Sequence, residues 1–149
     1  MATSNQKLNQ RLIVDYVVDE IKVDDFEALA IPGGFEEYNF YTDAYNDKFS
    51  EIIKSFYEKE KIIASICTGA FPIAKSGILK GKNGTIYNHP LRHETLRNMG
   101  VNVLNEPIVL ESNIITSWNP STAMNVAFLL LEKLTNKENT NLIKKKMGF

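Results

Sequence analysis

The chain contains a single cysteine, Cys67, among 149 residues. An internal disulfide is therefore excluded, and a reducing, cytoplasmic setting fits. There is no charge excess either: 17 Lys and Arg stand against 18 Asp and Glu, for a net charge of -1. That balance gives no electrostatic footprint for nucleic acid. No apolar run approaches the roughly 20 residues a membrane helix needs. Met1–Arg11 is polar, lacks a signal-peptide core, and reads as a flexible arm. Repeats and low-complexity tracts are absent. With 44% hydrophobic and 23% charged residues, the chain reads as one soluble globular domain spanning 1–149.

The most informative stretch is Lys61-Ile62-Ile63-Ala64-Ser65-Ile66-Cys67-Thr68-Gly69-Ala70. It opens as a β-branched apolar run, which predicts a buried strand. Small residues follow the cysteine, and then a helical pattern begins at Phe71-Pro72-Ile73-Ala74. A nucleophile at an abrupt strand-to-helix corner is the nucleophile-elbow arrangement. Small neighbours suit the tight turn, and the helix N-terminus favours thiolate. The alternative is a buried structural thiol.

Along the chain, Leu12–Val18 has strand composition, Asp24-Asp25-Phe26 reads as a turn, and Ala28–Ile31 reads as a second strand. Pro32-Gly33-Gly34 ends that strand as a ligand-facing loop or a plain turn. The aromatic segment Tyr38–Tyr45 reads as a loop lining a cleft or an interface, or as rings that cap the core. Phe49, Ile52, Ile53, Phe56 and Tyr57 recur at helical spacing within Asp47–Lys59. Thr85-Ile86-Tyr87 predicts a strand, followed by His89 before Pro90. A histidine at a strand end sits where α/β folds present site residues, so His89 is the candidate partner of Cys67. A solvated loop histidine is the alternative. His93, within the predicted helix Leu91–Met99, reads as an exposed helical residue. Val101–Leu104 predicts a strand, and Ile108–Ser117 predicts a β-hairpin. Helices over Ala123–Leu134 and about Asn139–Met147 complete the chain.

This order of elements resembles the ThiJ/PfpI (DJ-1-like) family of the class I glutamine amidotransferase-like superfamily. Four stretches carry the resemblance: Ala30-Ile31-Pro32-Gly33-Gly34, Ile63–Gly69, Tyr87-Asn88-His89-Pro90 and Ile115–Thr122. It implies an α/β, flavodoxin-like three-layer sandwich with a mostly parallel sheet, and commonly a homodimer. It makes Cys67 the nucleophile or oxidation-sensing thiol, with His89 near it. The backbone amides of Gly34 and Thr68 match the family's oxyanion-binding pair, a role suited to oriented N–H donors beside a nucleophile. No cofactor and no metal is implied. Thr68 stands where the PfpI-type proteases have histidine, which argues against that peptidase activity.

The resemblance also implies an N-terminal strand–helix–strand that this chain lacks, so the domain reads as N-terminally truncated. One of those strands leads to a glutamate that contacts the sulfur. Glu36 or Glu37 is a candidate substitute, and the alternative is that both are surface residues. The missing strand is expected inside the sheet, beside Ala28–Ile31 and Ile62–Ile66. Its loss predicts that the isolated chain rearranges its sheet, pairs its edge with another copy, or takes up a separate segment. Two functional readings follow. The first is a cysteine-dependent hydrolase, deglycase or glyoxalase-type enzyme acting on a small carbonyl compound. The second is a non-catalytic redox or stress-response protein that senses oxidation at Cys67, or an inactive truncated paralogue.

Overall fold

Successive residues of a strand point to opposite faces, and β2 (Ile62–Ser65) uses this alternation to serve two cores. The computed structural model describes residues 13–36 and 40–149. Ile63 enters one cluster with Ile31, Ile53, Phe56 and Phe71, while Ala64 enters another with Ile115 and Val126. The neighbouring strand β6 (Ile114–Ser117) divides in the same way, Ile114 to the first cluster and Ile115 to the second.

The main sheet runs in the order β1 (Ala28–Ile31), β2, β6, β5 (Ile108–Glu111). β1, β2 and β6 are parallel, and β5 joins β6 as the expected antiparallel hairpin. Ser112 turns that hairpin with φ +56°. Helices α2 (Asp47–Glu58), α3 (Ala70–Lys75) and α4 (Pro90–Asn98) cover one face. Asn46 caps α2, its side chain accepting from the Lys48 amide at 2.9 Å. The other face is covered by α5 (Ala123–Leu134), whose Val126 and Leu129 pack on Ala64 and Ile115. Behind it lies α6 (Lys137–Met147), where the rings of Phe128 and Phe149 meet edge-on at 5.1 Å. This is the expected three-layer α/β arrangement with a mostly parallel sheet. The predicted α2, α5 and α6 form within two residues of their expected bounds.

Three expectations are corrected. Within Leu12–Val18, residues 13–17 form no strand, and Ile13, Val14 and Tyr16 are exposed. Strand composition needs a neighbour to pair with, and none lies beside this segment among the described residues. Thr85–Tyr87 does not join a ladder, because Thr116 Oγ1 takes the Thr85 amide at 2.9 Å. The short parallel pair of β3 (Asn83–Gly84) and β4 (Asn102–Val103) forms instead. The Tyr38–Tyr45 loop contains a short helix, α1 (Phe40–Ala44), while Tyr38 lies outside the described residues. β1 pairs with β2 along its whole length, from Ala28 opposite Ile62 to Ile31 opposite Ser65, and among the described residues it forms one edge of the sheet.

Candidate active site

Cys67 sits where β2 ends, at φ +60°. A residue with a side chain rarely takes the left-handed region, and holding it there costs about 1–3 kcal/mol. The chain then enters α3 through the single turn Cys67–Gly69. This is the geometry of the predicted elbow. Two glycines make it possible. A Cβ on Gly69 would stand 2.5 Å from the Ile31 carbonyl oxygen, so only glycine lets the elbow press against the end of β1. A Cβ on Gly33 would stand 2.7 Å from Cys67 Cβ and 3.1 Å from its Sγ. The Pro32-Gly33-Gly34 loop therefore lies directly against the sulfur, which is only 8% exposed with its residue.

Thr68 fastens that loop. Its hydroxyl accepts from the Gly34 amide at 2.9 Å and donates to the Gly34 carbonyl at 2.7 Å. The Gly34 N–H, one of the two expected oxyanion donors, is thus engaged. Sequence reasoning named Thr68 for its backbone and missed this side chain.

Around the elbow stands a group that sequence reasoning assigned no role. Arg92 on α4 forks onto the Glu36 carboxylate, with Nη2 to Oε2 at 2.7 Å and Nη1 bonded to Oε1. Its guanidinium lies 5.9 Å from the Phe71 ring centroid and 3.5 Å from the Tyr41 hydroxyl. Tyr41 in turn touches Thr68, packs edge-on against Phe71 at 5.8 Å and stacks on Tyr45 at 5.1 Å. Arg92 therefore ties together the glycine loop, α1, the elbow helix and α4. Its hydrogen bonds to Glu36 hold that carboxyl below the ordinary glutamate range and raise the pKa of Arg92 itself. Burial raises the pKa of Tyr41 and pushes Tyr45 up to about 12. Arg92 and Tyr41 both lie within electrostatic reach of Cys67.

His89 precedes α4 as its N-cap residue and is exposed. It lines a cleft of about 440 Å³ together with Glu36, Tyr87, Leu91, Arg92 and Thr95. Its ring makes no hydrogen bond to Cys67 among the described residues. His93 corrects the sequence reading: it is buried at 9% exposure, because it shares a helix face with buried Leu96 one turn on. Glu36 is committed to Arg92 rather than to the sulfur, and Glu37 lies outside the described residues. A larger groove, of about 830 Å³, runs along Val17, Ile31, Phe40 and Phe49 and does not include Cys67. Among the described residues no cluster of three His, Cys, Asp or Glu is placed to hold a metal, and no helix is long and apolar enough to cross a membrane.

Known proteins are similar to this chain in sequence and fold. The glutathione-independent glyoxalase DJ-1 of Schizosaccharomyces pombe is 37% identical over 99 residues, covering 66% of this chain and 50% of the relative. Deglycase PfpI of Pyrococcus furiosus is 33% identical over 107 residues, covering 72% of this chain and 61% of the relative. The crystal structure of Drosophila melanogaster DJ-1beta superposes with a TM-score of 0.81 at 26% identity, over 94% of this chain and 73% of that one. The chain thus spans between half and three fifths of the length of these two curated relatives. Residues 2–133 match the DJ-1/PfpI family itself, and with the elbow cysteine and the glycine loop in place, the chain belongs to that family.

Proposed function

We propose that this protein is a cysteine-dependent enzyme of the hydrolase, deglycase or glyoxalase type, acting on a small carbonyl compound. The observation that carries the reading is Cys67 at φ +60° with a glycine loop against its sulfur. Strain of this kind persists only where the surroundings hold it, and it sets the sulfur at the corner between strand and helix. Cys67 thiolate adds to the carbonyl carbon, the C=O π pair moves to oxygen, and the amides of Thr68 and Gly34 receive that charge. For Gly34 to do so, the Thr68 hydroxyl turns away as the oxyanion forms. His89, open to the cleft, is the group suited to exchange a proton with the adduct. The assay is consumption of methylglyoxal by the full chain. Cys67→Ala abolishes it on this reading, and equal rates for the two proteins would sink it.

A second reading has its own support. The Gly34 amide is already satisfied by Thr68, and no histidine bonds the sulfur among the described residues. Both features suit a thiol that is oxidised reversibly and read out, rather than one turning over substrate. Peroxide titration of Cys67 with recovery by a thiol reductant, in a protein without carbonyl turnover, would favour it. The homodimer and the cytoplasmic setting remain part of this proposal, and sedimentation tests the first.

A further inference from the structure

We propose that the cleft lined by Glu36, His89 and Arg92, next to the glycine loop that covers Cys67, selects carbonyl compounds that carry a carboxylate, with Arg92 as the residue that recognises it and Glu36 holding that place in the free protein. The inference rests on Cys67 being the nucleophile and adds the substrate class. Three observations support it. First, the Arg92 fork is met by a carboxylate in the geometry with which guanidinium recognises acids in general. Second, the two partners are unequally anchored. The Arg92 side chain is 25% exposed and rests over Phe71, whereas the Glu36 side chain is 55% exposed and follows the glycine loop. The cation is the fixed member and the anion the displaceable one. Third, both open onto the 440 Å³ cleft, at the small end of the range of about 300–1,000 Å³ typical of small-molecule sites.

Exchange of Glu36 for a ligand carboxylate replaces like with like. Arg92 keeps its compensating charge, and Glu36 passes to water from a position already half in it. A neutral carbonyl compound makes no such exchange. An acid whose carbonyl carbon lies a few bonds from its carboxylate, such as a short 2-oxo acid, would present that carbon towards the elbow while the fork holds its other end. The step is the one described above: the sulfur–carbon bond forms and the carbonyl π pair moves to oxygen.

The single cysteine makes the test direct. Iodoacetate and iodoacetamide are nearly the same size and alkylate the same sulfur, with loss of iodide, but only the first carries a carboxylate. The measured quantity is the iodoacetate-to-iodoacetamide rate ratio at Cys67, taken relative to the urea-unfolded chain. A charge-assisted contact predicts a ratio raised about tenfold in the folded protein. Arg92→Met returns it to the unfolded value, and Arg92→Lys, which keeps the charge without the fork, leaves an intermediate preference. Glu36→Gln raises the iodoacetate rate more than the iodoacetamide rate, so the ratio increases further. Equal ratios in the folded and unfolded chain overturn the proposal while fast iodoacetamide labelling leaves the nucleophile intact. A parallel fall of both reagents in Arg92→Met likewise overturns it, since that is the mark of a structural role. Resistance of the folded protein to both reagents overturns the nucleophile and this proposal together.

Discussion

The two faces of the central sheet differ in depth. On one, Ile31, Ile63 and Ile114 lie under α2, α3 and α4, and the buried cluster continues through Phe71, Leu79, Ile86 and Leu96. On the other, Ala64 and Ile115 meet α5 mainly through Val126, and Ala30 of β1 is exposed. The elbow helix, Tyr41 and Arg92 all belong to the deep side. The layer that supplies most of the buried apolar surface therefore also positions the site. Changes to its core should reach Cys67, and changes to the thin face should not.

The largest effect comes from a matched pair of truncations. Ile63 and Ile115 are both fully buried and stand on adjacent strands, but they face opposite layers. Removing three carbons from a buried isoleucine costs about 2–5 kcal/mol, depending on how far the site can collapse. Ile63→Ala is expected at the upper end of that range, because α2 and α3 hold its cavity open. Ile115→Ala is expected at the lower end, since one helix can settle onto the strand. Urea midpoints measure both. A larger loss at Ile115 would reverse the comparison. Iodoacetamide labelling of Cys67 should change in the first variant and stay unchanged in the second.

Thr68→Val comes next. The methyl replaces the hydroxyl at nearly constant volume and leaves the Gly34 amide and carbonyl without their partner. An unmet buried hydrogen-bonding group costs about 1–3 kcal/mol, towards the low end here because Gly34 is half-buried. The loop should loosen over the sulfur, with faster hydrogen exchange at Gly33 and Gly34. Thr68→Ser keeps the hydroxyl and should behave as the parent. Identical exchange in the valine and serine variants would mean that the hydroxyl does not hold the loop.

Sequence patterns foretold elements whose signals are local. The apolar spacing of Phe49, Ile53 and Phe56 specified α2, and alternation around Ser112 specified the hairpin. The elbow was legible because a buried strand, a cysteine and small residues occur without a gap. What failed depended on distant partners. Residues 13–17 have strand composition but pair with no strand among the described residues, and Thr85 lost its ladder to a side chain of β6. His93 and Arg92 were indistinguishable as polar residues of one helix until the sheet decided which faced inward. One clue was available for Arg92: it follows His89 by three residues, which places it a helical turn beyond a candidate site residue.

The smallest expected effect concerns acid and the open end of the deep face. Arg92 holds the Glu36 carboxyl below its usual range in the folded state, whereas in the unfolded chain it titrates near 4.3. A carboxyl whose folded pKa is depressed contributes stability above its unfolded value and loses it as pH falls through the folded one. The contribution is therefore complete at pH 7 and fades below about pH 4.3. Half-exposed as the Glu36 side chain is, water screens the pair, and about 0–1 kcal/mol is the scale to expect. The measurement is the difference in urea midpoint between the parent and Glu36→Gln from pH 7 to pH 3. That difference should shrink on acidification and close once both side chains are neutral. A difference that grew as pH fell would mean that Glu36 is held in its protonated form, and the Arg92 fork would then not be the anchor of the glycine loop.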